Sequence, residues 1–373
     1  MDIRKGLEGV VVDESKVSKV MPETNSLTYR GYAVQDLAEN CCFEEVAYLI
    51  WNGELPTRAE LTAYMREERG LRELSEPLKQ SIALFPKTAH PMDTLRTGCS
   101  FLGMEDPDTW AADPVSNRAK GMNLMAKIPT IIAHDYRCRK GLQPISPRVD
   151  LSMSENFFHM CFGEVPHADI VKAFDVSLVL YAEHGFNCST FTTRVITSSM
   201  ADFYSAVVGG IGALKGPLHG GANEAVMNML REIDDPAKAR DWMLDALATG
   251  KKVMGFGHRV YKTGDSRVPT MNKWGRRVAE IRGEPKWYAM SDELAAVMLE
   301  KKDIHPNLDF PSGPAYYLMG FDTDLYTPIF VMARISGWTA HILEQTASNR
   351  LIRPLSAYTG VAQRDMVPID QRG

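Results

Sequence analysis

Four stretches of the chain concentrate residue types that do chemistry. In Gly209 to Val226 (GGIGALKGPLHGGANEAV), His219 stands among six glycines that fall between Gly209 and Gly221. A glycine inside a helix costs about 1 kcal/mol against alanine. Such density therefore predicts helices packed at close range or a main chain laid against a ligand, with a flexible loop carrying an incidental histidine as the third reading. In Lys251 to Arg267 (KKVMGFGHRVYKTGDSR), His258 follows Gly255 and Gly257 among five cations, Lys251, Lys252, Arg259, Lys262 and Arg267. Glycine lets backbone amides approach an anion, and the cations suit phosphate or carboxylate; a solvated basic loop fits the same residues. The stretch is not a dinucleotide fingerprint, because His-Arg-Val follows the second glycine and no strand-to-helix unit with a downstream acid accompanies it. In His305 to Tyr317 (HPNLDFPSGPAYY), Asp309 sits between Leu308 and Phe310. Apolar surroundings raise a carboxyl pKa and suit it to general-base work, while a turn-capping aspartate explains the position equally well. Finally, Arg334 interrupts IFVMARISGW and Arg353 lies in LIRPLSAYTG. A guanidinium in apolar context needs an anion, either a structural carboxylate or that of a substrate.

Helices must position most of these residues. Phe43 to Asn52 carries Val46, Ala47, Leu49 and Ile50 on one side and stops at Gly53. Thr57 with Glu60 forms a capping box, and Ser75 before Glu76-Pro77 opens another helix. Asp169 to Glu183 spaces Ile170, Phe174, Leu178 and Tyr181 for one face. Asp235-Pro236 caps a helix ending at Gly250, Ser291 opens one finishing at Lys301-Lys302, and Thr327-Pro328 starts a last long one reaching about Asn349. The pattern predicts strands in GVVVDE and in the stretch ending LTYRGY, and a loop from about Phe101 to Ser116. The fold class expected is mostly α, with a few short N-terminal strands. The length fits two domains: residues 1–219 with 321–373 as a large helical domain, and 220–320, bracketed by the His219 and Asp309 loops, as a smaller inserted one.

A net charge of −5 gives no overall basic field for nucleic acid or an anionic membrane, so any basic chemistry is local. No apolar run is long enough to span a bilayer. The six cysteines form no CxxC pair, which predicts free buried thiols in a reducing cytoplasm.

In order, the chain reads NSLTYRGY, LYAEHGFNCSTFTTR, GPLHGGAN, GFGHRVYK, PNLDFPSG, an arginine in the final long helix and IRPLSAYTG. This series resembles the citrate synthase family along nearly the whole chain, nearest its short bacterial 2-methylcitrate synthases and their citrate synthase relatives. The resemblance implies a two-domain helical fold and an acyltransferase that condenses propionyl-CoA or acetyl-CoA with oxaloacetate. It implies that His219 donates a hydrogen bond to the thioester oxygen as an enolate forms, that Asp309 removes the α-proton, and that His258 polarises the ketone. By the same likeness His184, Arg267 and Arg334 hold oxaloacetate, joined by Arg353 of the partner subunit in a homodimer. Val253, Met254, Gly255, Phe256 and Gly257 border the CoA adenine, and Lys262 lies near its phosphates. No cofactor or metal is implied, the CoA thioester being a substrate. These residue types suit the reaction. A carboxylate alone does not remove a weakly acidic thioester α-proton, and one preorganised donor to the oxyanion is worth about 3 kcal/mol. Arginines match the carboxylates of oxaloacetate, and closure of the small domain on that dianion shields the thioester from water. Where family members read EHxFNAST, Cys188 replaces the alanine, one small buried residue for another. Two rivals remain. One is a metal enzyme using His219, His258 and Asp309, whose spacing matches neither HxE nor HExxH; the other is a non-catalytic CoA-binding protein.

Overall fold

The computed structural model describes residues 3–258, 261 and 263–373. Among them, Ser18–Met21 (β1), Ser26–Tyr29 (β2) and Tyr32–Ala33 (β3) form one antiparallel sheet in the order β1-β2-β3, with Ser18 opposite Tyr29 and Tyr29 opposite Tyr32. The β2–β3 turn is Arg30-Gly31, both residues at positive φ (50° and 94°), the geometry that matches strand twist in a two-residue hairpin. The expected strand in GVVVDE does not form. Val10, Val11 and Val12 are exposed, and no described strand pairs with them.

Sixteen α-helices follow among the described residues. The first ten are α1 (Val34–Asn40), α2 (Phe43–Asn52), α3 (Arg58–Gly70), α4 (Glu76–Leu84), α5 (Pro91–Glu105), α6 (Pro114–Arg139), α7 (Met153–Phe162), α8 (Ala168–Tyr181), α9 (Cys188–Ser198) and α10 (Phe203–Leu214). Then come α11 (Ala222–Ile233), α12 (Pro236–Ala248), α13 (Val268–Arg282), α14 (Lys286–Lys302), α15 (Asp309–Met319) and α16 (Tyr326–Ala347). The expected punctuation holds at Gly53 (φ 93°), at the Thr57/Glu60 box, and at the Ser75 and Asp235 caps. Two boundaries differ. Phe101 to Glu105 is the last turn of α5, kept helical by buried Leu102, so the loop is shorter than expected. Ser291 lies inside α14, its hydroxyl bonded back to Trp287 O at 2.9 Å. Buried Trp287, Tyr288 and Met290 extend the apolar face of α14 upstream of it.

α16 is buried along most of its length and packs on α2, α6, α8 and α9. It approaches α6 closely at Gly121, where a Cβ would stand 2.5 Å from Thr339 Cγ2. The glycines of α10 work in the same way. Gly209 lies against Ile196 of α9, and a Cβ on Gly210 would meet Thr193 Cγ2 at 2.7 Å. Their close packing is with α9 of the same chain, while Gly212 is exposed. α11 packs on α15, α12 on α14 and α13 on both α15 and α8. No described helix is long and apolar enough to cross a membrane. All six cysteines are unpaired; Cys99 and Cys161 are buried as expected, but Cys188 is exposed at the first position of α9.

Candidate active site

α8 delivers the first group of side chains. The Tyr29 hydroxyl caps its end, 3.1 Å from Val179 O and 2.9 Å from Glu183 O. The chain then turns through Glu183 and His184 to Gly185 (φ 58°). Glu183 is fully buried. Its Oε1 accepts from Ser18 Oγ (2.9 Å), Gly185 N (2.6 Å) and His341 Nε2 (2.9 Å). His341 Nδ1 faces Arg194 Nη1 at 3.2 Å. An arginine only donates, so the His341 proton is on Nε2 and points to Glu183. Burial pushes the Glu183 carboxyl up, but His341, Arg334 and Ser18 outweigh it and hold it below its ordinary value. The turn that carries His184 is thus pinned around an ionised carboxylate. The His184 ring packs against His258 (centroids 4.9 Å) and Tyr261 (5.7 Å). Burial, then Arg267, keep it neutral. His184 Nε2 is buried with no hydrogen-bond partner among the described residues.

His219 and His258 are neutral imidazoles of opposite tautomer. Burial and Arg334 lower His219 to about 3; burial and Arg267 lower His258 to about 4, with Asp265 opposing. Ser189 N donates to His219 Nε2 at 3.3 Å, and Ser189 Oγ is 2.9 Å from the same atom. The His219 proton is therefore on Nδ1. Ser189 is itself fixed by Trp338 Nε1 at 3.2 Å. Tyr261 N donates to His258 Nδ1 at 3.2 Å, which leaves the His258 proton on Nε2. Each ring is a neutral imidazole carrying one N–H, the form a neutral electrophile requires.

The loops bearing His258 and Asp309 are held side by side by main-chain pairing. Gly257 N donates to His305 O (2.8 Å) and Asn307 N to Gly255 O (2.9 Å), while Asn307 Nδ2 reaches Gly257 O (3.0 Å). Gly255 (φ 85°) must be glycine, since a Cβ there would stand 2.5 Å from Val226 Cγ2. Arg267 is buried and bidentate to Asp265, at 2.9 and 2.7 Å. Burial raises Asp265, but Arg267 more than reverses the effect and holds it ionised. Asp265 Oδ2 also accepts from Leu308 N at 3.1 Å, tying the arginine to the start of α15.

Arg334 is almost fully buried on α16. Its Nε donates to Tyr181 O at 2.9 Å and its guanidinium lies 4.8 Å from the Phe330 ring centre. No described carboxylate pairs with it, and Nη1 is buried without a partner. Burial lowers its pKa to about 10. Asp309, the first residue of α15, accepts from Tyr181 Oη at 2.7 Å. Burial raises it to about 6, against the opposing effects of Tyr181, Arg267 and Arg334. Phe330 links the cluster, its ring touching Tyr181 (4.3 Å) and His219 (6.0 Å).

The structure thus gathers His184, His219, His258, Arg267, Arg334 and Asp309, with Val253, Met254, Gly255, Phe256 and Gly257 running up to His258. It does not bring Arg353 to them. That residue is exposed in the irregular tail beyond α16 and makes no hydrogen bond or ion pair with the group among the described residues. Lys262 and Arg259 lie outside the described residues. No three described His, Cys, Asp or Glu side chains are grouped so as to hold a metal ion. Sequence reasoning passed over Tyr181, placed there only on an apolar face, and also Asp265, Ser189 and Glu183. The one signal for Asp265 was its position two residues before Arg267 in GDSR.

A fold of stacked helices around such a cluster defines a class. The family model described as citrate synthase, C-terminal domain, matches residues 6–355, and the chain belongs to the citrate synthase family. Among its relatives, the 2-methylcitrate synthase of Mycobacterium tuberculosis is 59% identical over 97% of this chain and 92% of its own length. A citrate synthase of Mycolicibacterium smegmatis is 54% identical over 98% and 97%. In structure, the chain is similar to the citrate synthase of Thermoplasma acidophilum, solved as a ternary complex with carboxymethyl coenzyme A and oxaloacetate: TM-score 0.94, 31% identity, 100% of both chains covered.

Proposed function

We propose that this enzyme joins the α-carbon of propionyl-CoA, and also of acetyl-CoA, to the ketone of oxaloacetate, then hydrolyses the thioester to release CoA and 2-methylcitrate or citrate. One observation carries the reading. Among the described residues, two buried polar atoms, Arg334 Nη1 and His184 Nε2, lack partners beside buried Arg267 and next to a carboxyl lifted to about 6. A buried orphan of this kind costs about 1–3 kcal/mol, more when charged, and a dicarboxylate ligand removes that cost. Asp309 takes the α-proton; the C–H pair becomes the C=C bond of the enolate and the C=O π pair moves onto the thioester oxygen, held by His219 Nδ1–H. The enolate carbon then attacks the ketone carbon as the thioester C=O reforms, and the ketone oxygen takes its C=O pair and a proton from His258 Nε2–H to become the hydroxyl of the product. Water finally cleaves the C–S bond, giving the new carboxylate and CoA. Every step uses side chains and water, so the reaction as proposed needs no cofactor.

Residues 220–320 form the smaller domain in this reading, since α11 to α15 pack chiefly on one another, and Val253 to Gly257 with Lys262 border the CoA. The protein acts as a two-fold dimer in which Arg353 of the partner subunit completes the oxaloacetate site. The tail supports this, because Leu355, Tyr358 and Met366 are 85%, 78% and 82% exposed in the single chain and such apolar surface seeks cover. Unpaired cysteines fit a reducing cytoplasm. The names of the relatives divide between the two thioesters, which differ by one methylene, worth about 1–3 kcal/mol. Overall likeness favours propionyl-CoA. Thiol release from each thioester with oxaloacetate, with the product identified by mass, tests the activity. A higher kcat/KM for propionyl-CoA is expected, and absence of CoA release from both would overturn the reading.

A further inference from the structure

The hydrogen bond from Tyr181 to Asp309 is not required by packing. The Tyr181 ring is held by Phe330, and its main-chain oxygen already accepts Arg334 Nε; a phenylalanine would satisfy both contacts. The hydroxyl nevertheless reaches across from the end of α8 to the first residue of α15, at 2.7 Å from Oδ1. That length is typical of a charge-assisted O–H···O⁻ bond. We propose that Tyr181 is the positioning residue of the catalytic base. By donating to Oδ1 it fixes the carboxylate rotamer, favours its ionised form inside an apolar wall, and leaves Oδ2 as the oxygen that takes the α-proton. This rests on the reading of Asp309 as the base.

The surroundings fit the role. Burial and the neighbouring Asp309 push the phenol well above its ordinary value, so the hydroxyl stays a donor throughout the working range. Tyr316 and Ser312 of α15 stand beside it. The other charged groups whose influence reaches Asp309 are Arg267 and Asp265, before α13, and Arg334 of α16. Asp265 is bidentate to Arg267 and Arg334 donates to Tyr181 O, which leaves Tyr181 as the direct donor to the Asp309 carboxylate side chain among the described residues. A hydrogen bond to the charged form opposes the burial that lifts the carboxyl. Without it, Asp309 would hold its proton to higher pH.

Tyr181→Phe removes one oxygen and tests this. The readout is kcat/KM for the acyl-CoA at saturating oxaloacetate from pH 5 to pH 9, with α-deuterated thioester confirming that the acid limb reports proton abstraction. Loss of one bond to a carboxylate predicts an upward move of that limb by about one pH unit. The deficit would be about tenfold at pH 5 and within about threefold above pH 8. An unmoved limb, or an equal fall at every pH, overturns the role. Asp309→Asn separates the two ideas. If it turns over like wild type, the base itself is misassigned and the role of Tyr181 falls with it. If it is inactive while the Tyr181→Phe limb stays in place, only Tyr181 is misassigned.

Discussion

The end of α8 and the tail beyond α16 carry arginine chemistry in opposite ways. Around α8, Arg267 and Arg334 are buried, fixed by Asp265 and by Tyr181 O, and surrounded by neutral histidines whose tautomers are set by backbone N–H groups. In the tail, Arg353 is exposed among exposed apolar side chains. Among the described residues only the start of that segment is anchored to the rest of the chain, by Asn349 Nδ2 to Ser198 O (3.2 Å) and Ile352 N to Ser198 Oγ (3.0 Å). The first region is preorganised within one chain. In the second, Arg353 is exposed, with no hydrogen bond or ion pair to the buried group among the described residues. Preorganisation is where electrostatic catalysis gains most, so damage to the first region should cost turnover, and damage to the second should cost affinity and assembly.

The largest effect is expected at Asp309. Asp309→Asn should lower kcat by about 10²–10⁴-fold while oxaloacetate still binds; retention of more than about a tenth of wild-type kcat, a loss under roughly 1.4 kcal/mol, would remove it as the base. The same variant has a stability signature. The folded pKa of about 6 lies above the reference value of 3.8, so the unfolded chain ionises first as pH rises. Folding stability is therefore lost between about pH 4 and pH 6 and stays lower above that. Asparagine avoids this cost. Asp309→Asn should melt higher than wild type at pH 8, by about 1–3 kcal/mol, with the gap narrowing toward pH 4. Next comes His219→Ala, which removes the enolate donor and should cost about 10²–10³-fold in kcat, measured by thiol release.

Arg353→Ala should do less to kcat, raising KM for oxaloacetate by about tenfold or more through one lost charge-assisted pair, with the chain's own core unaffected. Co-refolding Asp309→Asn with Arg353→Ala sharpens this. If the arginine crosses a two-fold interface, half the dimers are mixed and about a quarter of all sites are wild type in composition, so at oxaloacetate well below the Arg353→Ala KM, where each parent variant is weak, activity should recover toward that fraction. No recovery would place Arg353 in its own subunit's site.

Much of this was legible in the sequence because it rests on local rules. Gly53, Thr57 with Glu60, Ser75 and Asp235 state helix ends within a few residues, and Asp309 between Leu308 and Phe310 advertises a raised carboxyl. What was not legible depends on contacts far apart in sequence. Tyr181 has the spacing of a core residue on α8, and only the approach of α15 turns its hydroxyl into a partner for Asp309. Valines in GVVVDE have strand propensity, yet no neighbouring strand offers them a ladder. The glycines of α10 announce close packing without saying against what, and the answer, Thr193 and Ile196 of α9, comes from tertiary structure.

The central claim is that Arg334 is buried for a ligand and not for the fold. Arg334→Met keeps much of the side-chain volume and removes the charge. Removing the charge relieves the desolvation of an orphaned guanidinium but gives up its bond to Tyr181 O and its support of Glu183, so the melting temperature should stay within a few degrees of wild type. Calorimetric titration should at the same time show oxaloacetate affinity falling by about 100-fold, roughly 2.7 kcal/mol. A variant that melts well below wild type and still binds oxaloacetate with unchanged affinity would contradict the account.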